Sequence, residues 1–194
     1  MGGNGLPTEE FNGKDCWKIL IVDNDNFFHV MIKEMLRDFY LEEKPLVILS
    51  AYSNKEALQI LSHNKDIALV LIDAFNGVAA AGLELIKYIR ETMENRATRI
   101  VLMTNSGNNR LHEDIILNYD INGYEEKMEL LSKKLHTTVV SSLRSYRGIL
   151  HIYNNKKAME QVVASSSNLF ETGSIEEFIS STFCHLNTLI NCCK

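Results

Sequence analysis

The sequence predicts an α/β domain in which strands and helices alternate around a parallel sheet. Short apolar runs rich in Ile, Val and Leu recur at 18–22, 46–50, 67–72 and 99–103. They have strand length and little polar alternation, as strands buried on both faces do. The segments between them carry apolar residues at three- and four-residue steps, the period of a helix packed on one side. A polar residue also closes three of the runs: Asp23, Asp73 and Thr104.

Residues 1–15 are Gly-rich and polar and are expected to be disordered. The first strand is 18–22. Asp23 to Asn26 forms a loop whose short polar side chains suit a helix N-cap. Phe27, Val30, Met31, Met35 and Leu36 then repeat at helical spacing to about Tyr40, and Pro45 ends the connection. The second strand is 46–50. Ser53 or Asn54 caps a helix containing Ala57, Leu58, Ile60 and Leu61. The third strand is 67–72, followed by a loop from Ala74 to Ala80 and a helix with Leu83, Leu85, Ile86 and Ile89 on one side. The fourth strand is 99–103. A turn-rich loop (105–109) and a helix over about 111–118 follow, and a weakly apolar fifth strand within 119–126 ends before Lys127. Five β/α units imply a parallel sheet with helices on both faces.

After Glu129 the pattern stays helical: Leu130, Leu131, Leu135, Val139, Leu143, Tyr146, Leu150 and Tyr153. Two readings fit. Either a helix runs out of the domain to about residue 165, or a helix–turn–helix folds back on it. Ser174 with Glu177 three residues on has a capping-box pattern. The resulting division is 1–15 disordered, 16–140 the α/β domain, and 141–194 an extended helix with the truncated start of a second domain.

Net charge is -5, which argues against general nucleic-acid binding. No apolar run approaches the roughly 18 residues of a membrane span. The N-terminus lacks a secretory pattern. Cys16, Cys184, Cys192 and Cys193 form no Cys-x-x-Cys pair and read as reduced thiols of a cytoplasmic protein.

In a parallel sheet the C-terminal strand ends converge on one edge, where open α/β sheets bind ligands. Asp23, Asn24, Asp73, Thr104 and Lys127 would meet there. An Asp after a strand is often only a helix cap, so no position is decisive alone; their joint placement is the signal. A carboxylate can attack a phosphoryl group. Two anions then approach, and a divalent cation and an ammonium offset their charge. Asp73 is the candidate acceptor. Asp23 and Asn24 sit where they could hold Mg²⁺ with Asp73. Lys127 could bind phosphoryl oxygens, and Thr104 could donate its hydroxyl to them.

These motifs resemble, in order, those of the receiver domains of two-component response regulators. The run 19–25 is similar to their first strand and acidic cluster, 69–73 to the phosphoacceptor strand, and 82–85 to the start of their third helix. Residues 100–104 are similar to the switch-hydroxyl strand, and 124–127 to the aromatic switch and lysine. The resemblance implies a flavodoxin-like (βα)5 doubly wound parallel sheet of order 2-1-3-4-5, here with a C-terminal helical extension. It implies phosphorylation of Asp73 with Mg²⁺ held by Asp23, Asn24, Asp73 and the Phe75 backbone carbonyl. Thr104 and Tyr124 would act as the switch, and a histidine kinase or phosphotransfer protein as the partner. A narrower resemblance, through 119–124, 126–130 and 143–147, is to a subfamily whose receiver precedes a poorly characterised domain and often an HD-GYP cyclic-di-GMP phosphodiesterase. No HD or GYP motif is present, so an output activity would lie elsewhere.

Asn24 stands where the family has a metal-binding aspartate. Met128 replaces the usual proline, and Asn105 replaces a small residue. They motivate a second reading, a non-phosphorylated pseudo-receiver that docks or dimerises. An FMN carrier is disfavoured, because the loop 23–26 is acidic and lacks a phosphate cradle. Phe75 is expected to shield the acyl phosphate, and the 130–160 helix to pair two chains.

Overall fold

The computed structural model describes residues 16–75, 81–105, 119–172, 179–180 and 182–184. The expectations for 1–15, for the helix at 111–118, for the Ser174 cap and for Cys192 and Cys193 lie outside the described residues. The chain divides into two compact units, Met1–Tyr146 and Arg147–Lys194.

The first unit alternates as expected. Strand β1 (Trp17–Val22) leads to helix α1 (Asn26–Met35), and a two-residue strand β2 (Tyr40–Leu41) pairs antiparallel with β3 (Lys44–Ala51). Then come α2 (Asn54–His63), β4 (Ile67–Asp73), α3 (Ala81–Lys87), β5 (Arg99–Thr104) and β6 (Gly123–Glu126). A short helix α4 (Lys127–Glu129) and α5 (Leu135–Thr172) complete the described chain. The sheet order is β2-β3-β1-β4-β5-β6. Without the β2 hairpin this is the 2-1-3-4-5 order of a doubly wound sheet. The hairpin was not expected from the sequence, and Pro45 lies inside β3 opposite Tyr40 rather than in a connection. Proline is compatible with such an edge because it needs no ladder donor there.

Strand β4 is buried at every residue, as a central parallel strand is. Leu20, Val22, Val70, Ile72, Ile100 and Leu102 form one core layer with residues of α2 and α3. The alternate residues Ile19, Ile21, Leu69, Leu71, Val101 and Met103 point to the other face by the two-residue period and are equally buried. Phe28 and Ile32 of α1, and Leu135, Val139 and Leu143 of α5, supply buried apolar side chains for that face.

Two local readings need correction. The buried side of α1 is Phe28, His29 and Ile32, whereas Phe27 and Val30 are exposed. The apolar periodicity of this short helix fits either of two adjacent faces, and only packing decides between them. The helix also ends at Met35, with Leu36 as its C-cap, short of Tyr40.

Both α3 and α4 continue into π-helical turns, Tyr88–Thr92 and Leu130–Lys134. Beyond the second, α5 is one helix of 38 residues with no intervening turn. Leu130, Leu135, Val139, Leu143 and Tyr146 are buried within the first unit. That part of the 130–160 helix is core and unavailable as a seam between chains. From Ile152 onward the large apolar side chains among the described residues are exposed: Ile152, Tyr153, Met159, Val162, Val163, Ile179 and Phe183.

Candidate functional site

The strand registers bring the polar strand ends to one edge. Val22 lies beside Ala51 and Ile72, Asp73 beside Met103, and Thr104 beside Glu126. The ladder continues one residue past two strands: Asp23 N–H donates to Ala51 O at 3.1 Å, and Ala74 N–H to Met103 O at 2.8 Å. Asp23, Asp73, Thr104 and Lys127 are all buried at this edge.

The centre of the site is a shared ammonium. Lys127 Nζ lies 2.7 Å from Asp23 Oδ2 and 3.2 Å from Asp73 Oδ2. It also stands 5.3 Å from the centroid of the Phe28 ring, whose face favours a cation. Asp23 Oδ1 accepts from Asp25 N–H at 2.9 Å. Asp23 Oδ2 is fully buried and takes no well-aligned hydrogen bond, so the charge of Lys127 is what faces it. Asp73 Oδ1 accepts a long bond from Phe75 N–H at 3.4 Å.

Asp25 caps α1, its Oδ1 accepting from Phe27 N–H at 2.9 Å. Its side chain is thus committed away from the site. Asn24 is exposed beside it. Thr104 is buried at the end of β5. Tyr124 and the Phe75 side chain pack, half-buried, against the core layer shared with α2 and α3.

Strand β4 is followed closely by α3. Gly82 N–H donates to Ala74 O at 3.2 Å, and Asn54 Nδ2 at the start of α2 donates to Ala81 O at 2.8 Å. After Lys127, Lys134 Nζ bridges Glu125 Oε2 at 2.8 Å and Glu129 Oε1 at 3.1 Å. Hydrogen bonds to Glu125, then Glu129, raise the proton affinity of Lys134.

The sequence did not single out Phe28 or His29, and it marked Gly82 only as the start of the third-helix motif. His29 could have been noticed as a polar residue flanked by the apolar repeats of α1. Gly82 carries no local signal of its role. A further cluster, at the opposite sheet end, also went unread. Arg90 donates to the main-chain oxygens of Asn95, Thr98 and Asp120 and to Asn122 Oδ1.

Among the described residues, no three His, Cys, Asp or Glu side chains group as metal ligands. The acidic groups brought together here are two buried carboxylates, with the Asn24 amide exposed beside them. One ammonium against two carboxylates leaves a net negative charge in a buried place, and Asp23 Oδ2 lacks a hydrogen bond. A hard divalent cation with oxygen ligands fits that donor set.

A family model described as a domain of unknown function (DUF3369) matches residues 139–194. The chain is similar to a 3'3'-cGAMP-specific phosphodiesterase 2 of Vibrio cholerae, with 33% identity over 179 residues. That match covers 92% of this chain and 34% of the relative, so the chain spans about a third of the length of the curated relative it matches. Among solved structures it is similar to the N-terminal domain of a response regulator/sensory box/GGDEF 3-domain protein from Carboxydothermus hydrogenoformans. There the TM-score is 0.56 and the identity 23%, over 69% of this chain and 99% of that one. It is also similar to the signal receiver domain of an HD domain-containing protein from Pseudomonas fluorescens Pf-5. There the TM-score is 0.58 and the identity 19%, over 71% of this chain and 93% of that one. No helix among the described residues is long and apolar enough to cross a membrane.

Proposed function

We propose that this chain, which carries the receiver fold of response regulators, takes a phosphoryl group on Asp73 and relays the change to a C-terminal output. The observation that carries this reading is the Lys127 ammonium held between the Asp23 and Asp73 carboxylates at the C-terminal sheet edge. In the reaction an Asp73 carboxylate oxygen attacks phosphorus. The bond to the donor breaks, the P–N bond of a phosphohistidine or the P–O bond of acetyl phosphate. The donor leaves with its electron pair, an imidazole taking a proton from water. An acyl phosphate remains on Asp73.

Lys127 already lies within 3.2 Å of the attacking carboxylate and needs little movement to reach the new phosphoryl oxygens. The Asp23, Asn24 and Asp73 side chains and the Phe75 carbonyl would hold Mg²⁺. Bound there, it supplies positive charge that lowers the repulsion between carboxylate and phosphoryl. Thr104, at the end of the neighbouring strand, would donate its hydroxyl to the phosphoryl, and Tyr124 would follow it inward. The donor would be a histidine kinase or phosphotransfer protein in the cytoplasm. The likeness to a 3'3'-cGAMP phosphodiesterase supports an output in cyclic-dinucleotide signalling. The domain boundaries near 140, and pairing of two chains through the exposed part of α5, belong to the same proposal.

Intact mass after incubation with acetyl phosphate and Mg²⁺ tests it. One added phosphoryl is expected on the parent and none on Asp73→Asn. No addition on the parent would favour the second reading, a docking module. Asn24, an exposed amide where a carboxylate is usual, speaks for that alternative.

A further inference from the structure

We infer that His29 is a positioning residue for the acidic β1–α1 loop, clamping the main chain of Asp23 to β3. The inference rests on the phosphoryl-acceptor reading for its purpose, but not for its geometry. His29 is buried, with 1% exposure, on the inward side of α1. Its Nε2 is 2.8 Å from the Asp23 carbonyl oxygen and its Nδ1 is 3.0 Å from Ser50 Oγ. A carbonyl oxygen only accepts, so Nε2 carries a proton and donates to it. The ring lies against Tyr52, with centroids 4.4 Å apart.

The Asp23 carbonyl needs this donor. Asp23 is the residue where β1 passes beyond its last strand pairing, and its N–H still bonds to Ala51 O. Ala51 ends β3. In a parallel ladder the next donor to the Asp23 carbonyl would be Ser53 N–H, and no such main-chain bond forms. The main chain therefore does not supply the bond, and the imidazole does. The His29 main-chain N–H also reaches Asp25 O at 3.4 Å. The imidazole thus grips the loop at Asp23, while this ordinary helical main-chain bond holds Asp25 O whatever the side chain. Between those points lies Asn24, and the Asp23 carboxylate that faces Lys127 grows from the clamped residue. Partners one shell behind metal ligands set ligand orientation and typically govern affinity by about 10–100-fold.

The test compares the parent with His29→Gln, which keeps a donor at the Nε2 position, and His29→Leu, which removes it. Thermal unfolding, Mg²⁺ affinity by calorimetry and hydrogen exchange at the Asp25 amide are read for each. His29→Leu is expected to remain folded, lose about 10–100-fold in Mg²⁺ affinity and exchange the Asp25 amide faster. His29→Gln is expected to recover most of both. If His29→Leu fails to fold, Ser50→Ala, which removes the second anchor and leaves the ring, reads the same quantities. A folded variant lacking the clamp with parent affinity and parent exchange would overturn the inference. Equal losses in His29→Gln and His29→Leu would also overturn it, since bulk packing would then explain them. If the parent itself binds no Mg²⁺, the phosphoryl-acceptor reading fails, and the exchange measurement still decides the clamp.

Discussion

Gly82 lies directly against the main chain of Asp73: a Cβ at Gly82 would stand 2.3 Å from Asp73 O and 2.9 Å from Ala74 Cα. Both neighbours are backbone, so no side chain can swing away to make room. The start of α3 therefore reaches the end of β4 only because residue 82 has no side chain. Gly82→Ala is expected to lose about 1–3 kcal/mol of stability, as overpacked sites do. It is also expected to slow acetyl-phosphate labelling of Asp73. Urea unfolding and intact mass measure the two effects; parent values for both would show that the contact is slack.

Lys127→Met removes the ammonium that lies between Asp23 and Asp73 and over Phe28, while keeping an apolar side chain of similar length. Asp23 then loses the ammonium that faces its buried Oδ2, and Asp73 loses one partner. Removing one partner of a buried ion pair costs about 3–5 kcal/mol. The expected outcome is a loss of that order at neutral pH without Mg²⁺, partly restored by millimolar Mg²⁺. Chemical denaturation with and without the metal checks it.

Arg90→Met opens the other end of the sheet. The guanidinium binds three main-chain oxygens and Asn122 Oδ1, and pairs with the Asp120 carboxylate at 3.2 Å. Its replacement takes this donor from the buried Thr98 main-chain oxygen, a loss of about 1–3 kcal/mol, and removes three part-buried bonds, so the variant is expected to be destabilised. Burial pushes the Arg90 guanidinium down to about 10, below its ordinary value, while Asp120 holds it up. The folded state therefore binds this proton less tightly than the unfolded chain. The resulting penalty stands throughout the range below about pH 10 and is relieved only as pH rises above that. Urea midpoints of the parent at pH 6 to 9 should show no step from this residue.

Met159→Asp tests pairing of chains through the exposed part of α5. Ile152, Met159 and Val163 lie on one side of the helix at seven- and four-residue steps, all exposed. Light scattering should show a dimeric parent and a monomeric variant. A monomeric parent at micromolar concentration would dismiss the pairing. Leu143 is the wrong place to probe, since it is fully buried in the first unit.

The strands could be read because each is a local apolar run, and β4, buried throughout, is the clearest of them. The weak strand β6 was legible only through the motif ending at Lys127. The β2 hairpin was missed because two residues carry no periodicity. The face of α1 was misjudged by about one residue, since Phe27 and Phe28 are equally apolar and only contact with the sheet tells them apart. Arg90 was invisible because two of its acceptors lie 30 and 32 residues away.

The sequence by itself determined the alternating fold and the residue types at the site. Runs of buried strand length end in Asp23, Asp73 and Thr104, and right-handed crossovers carry all such ends to one edge. Only the tertiary structure decided how those groups pair. Lys127 divides its charge between Asp23 and Asp73, His29 holds the Asp23 carbonyl, and Gly82 admits the helix against Asp73. Each of these depends on distances of a few ångströms between segments apart in the chain. Such distances are set by packing, and no local pattern encodes them.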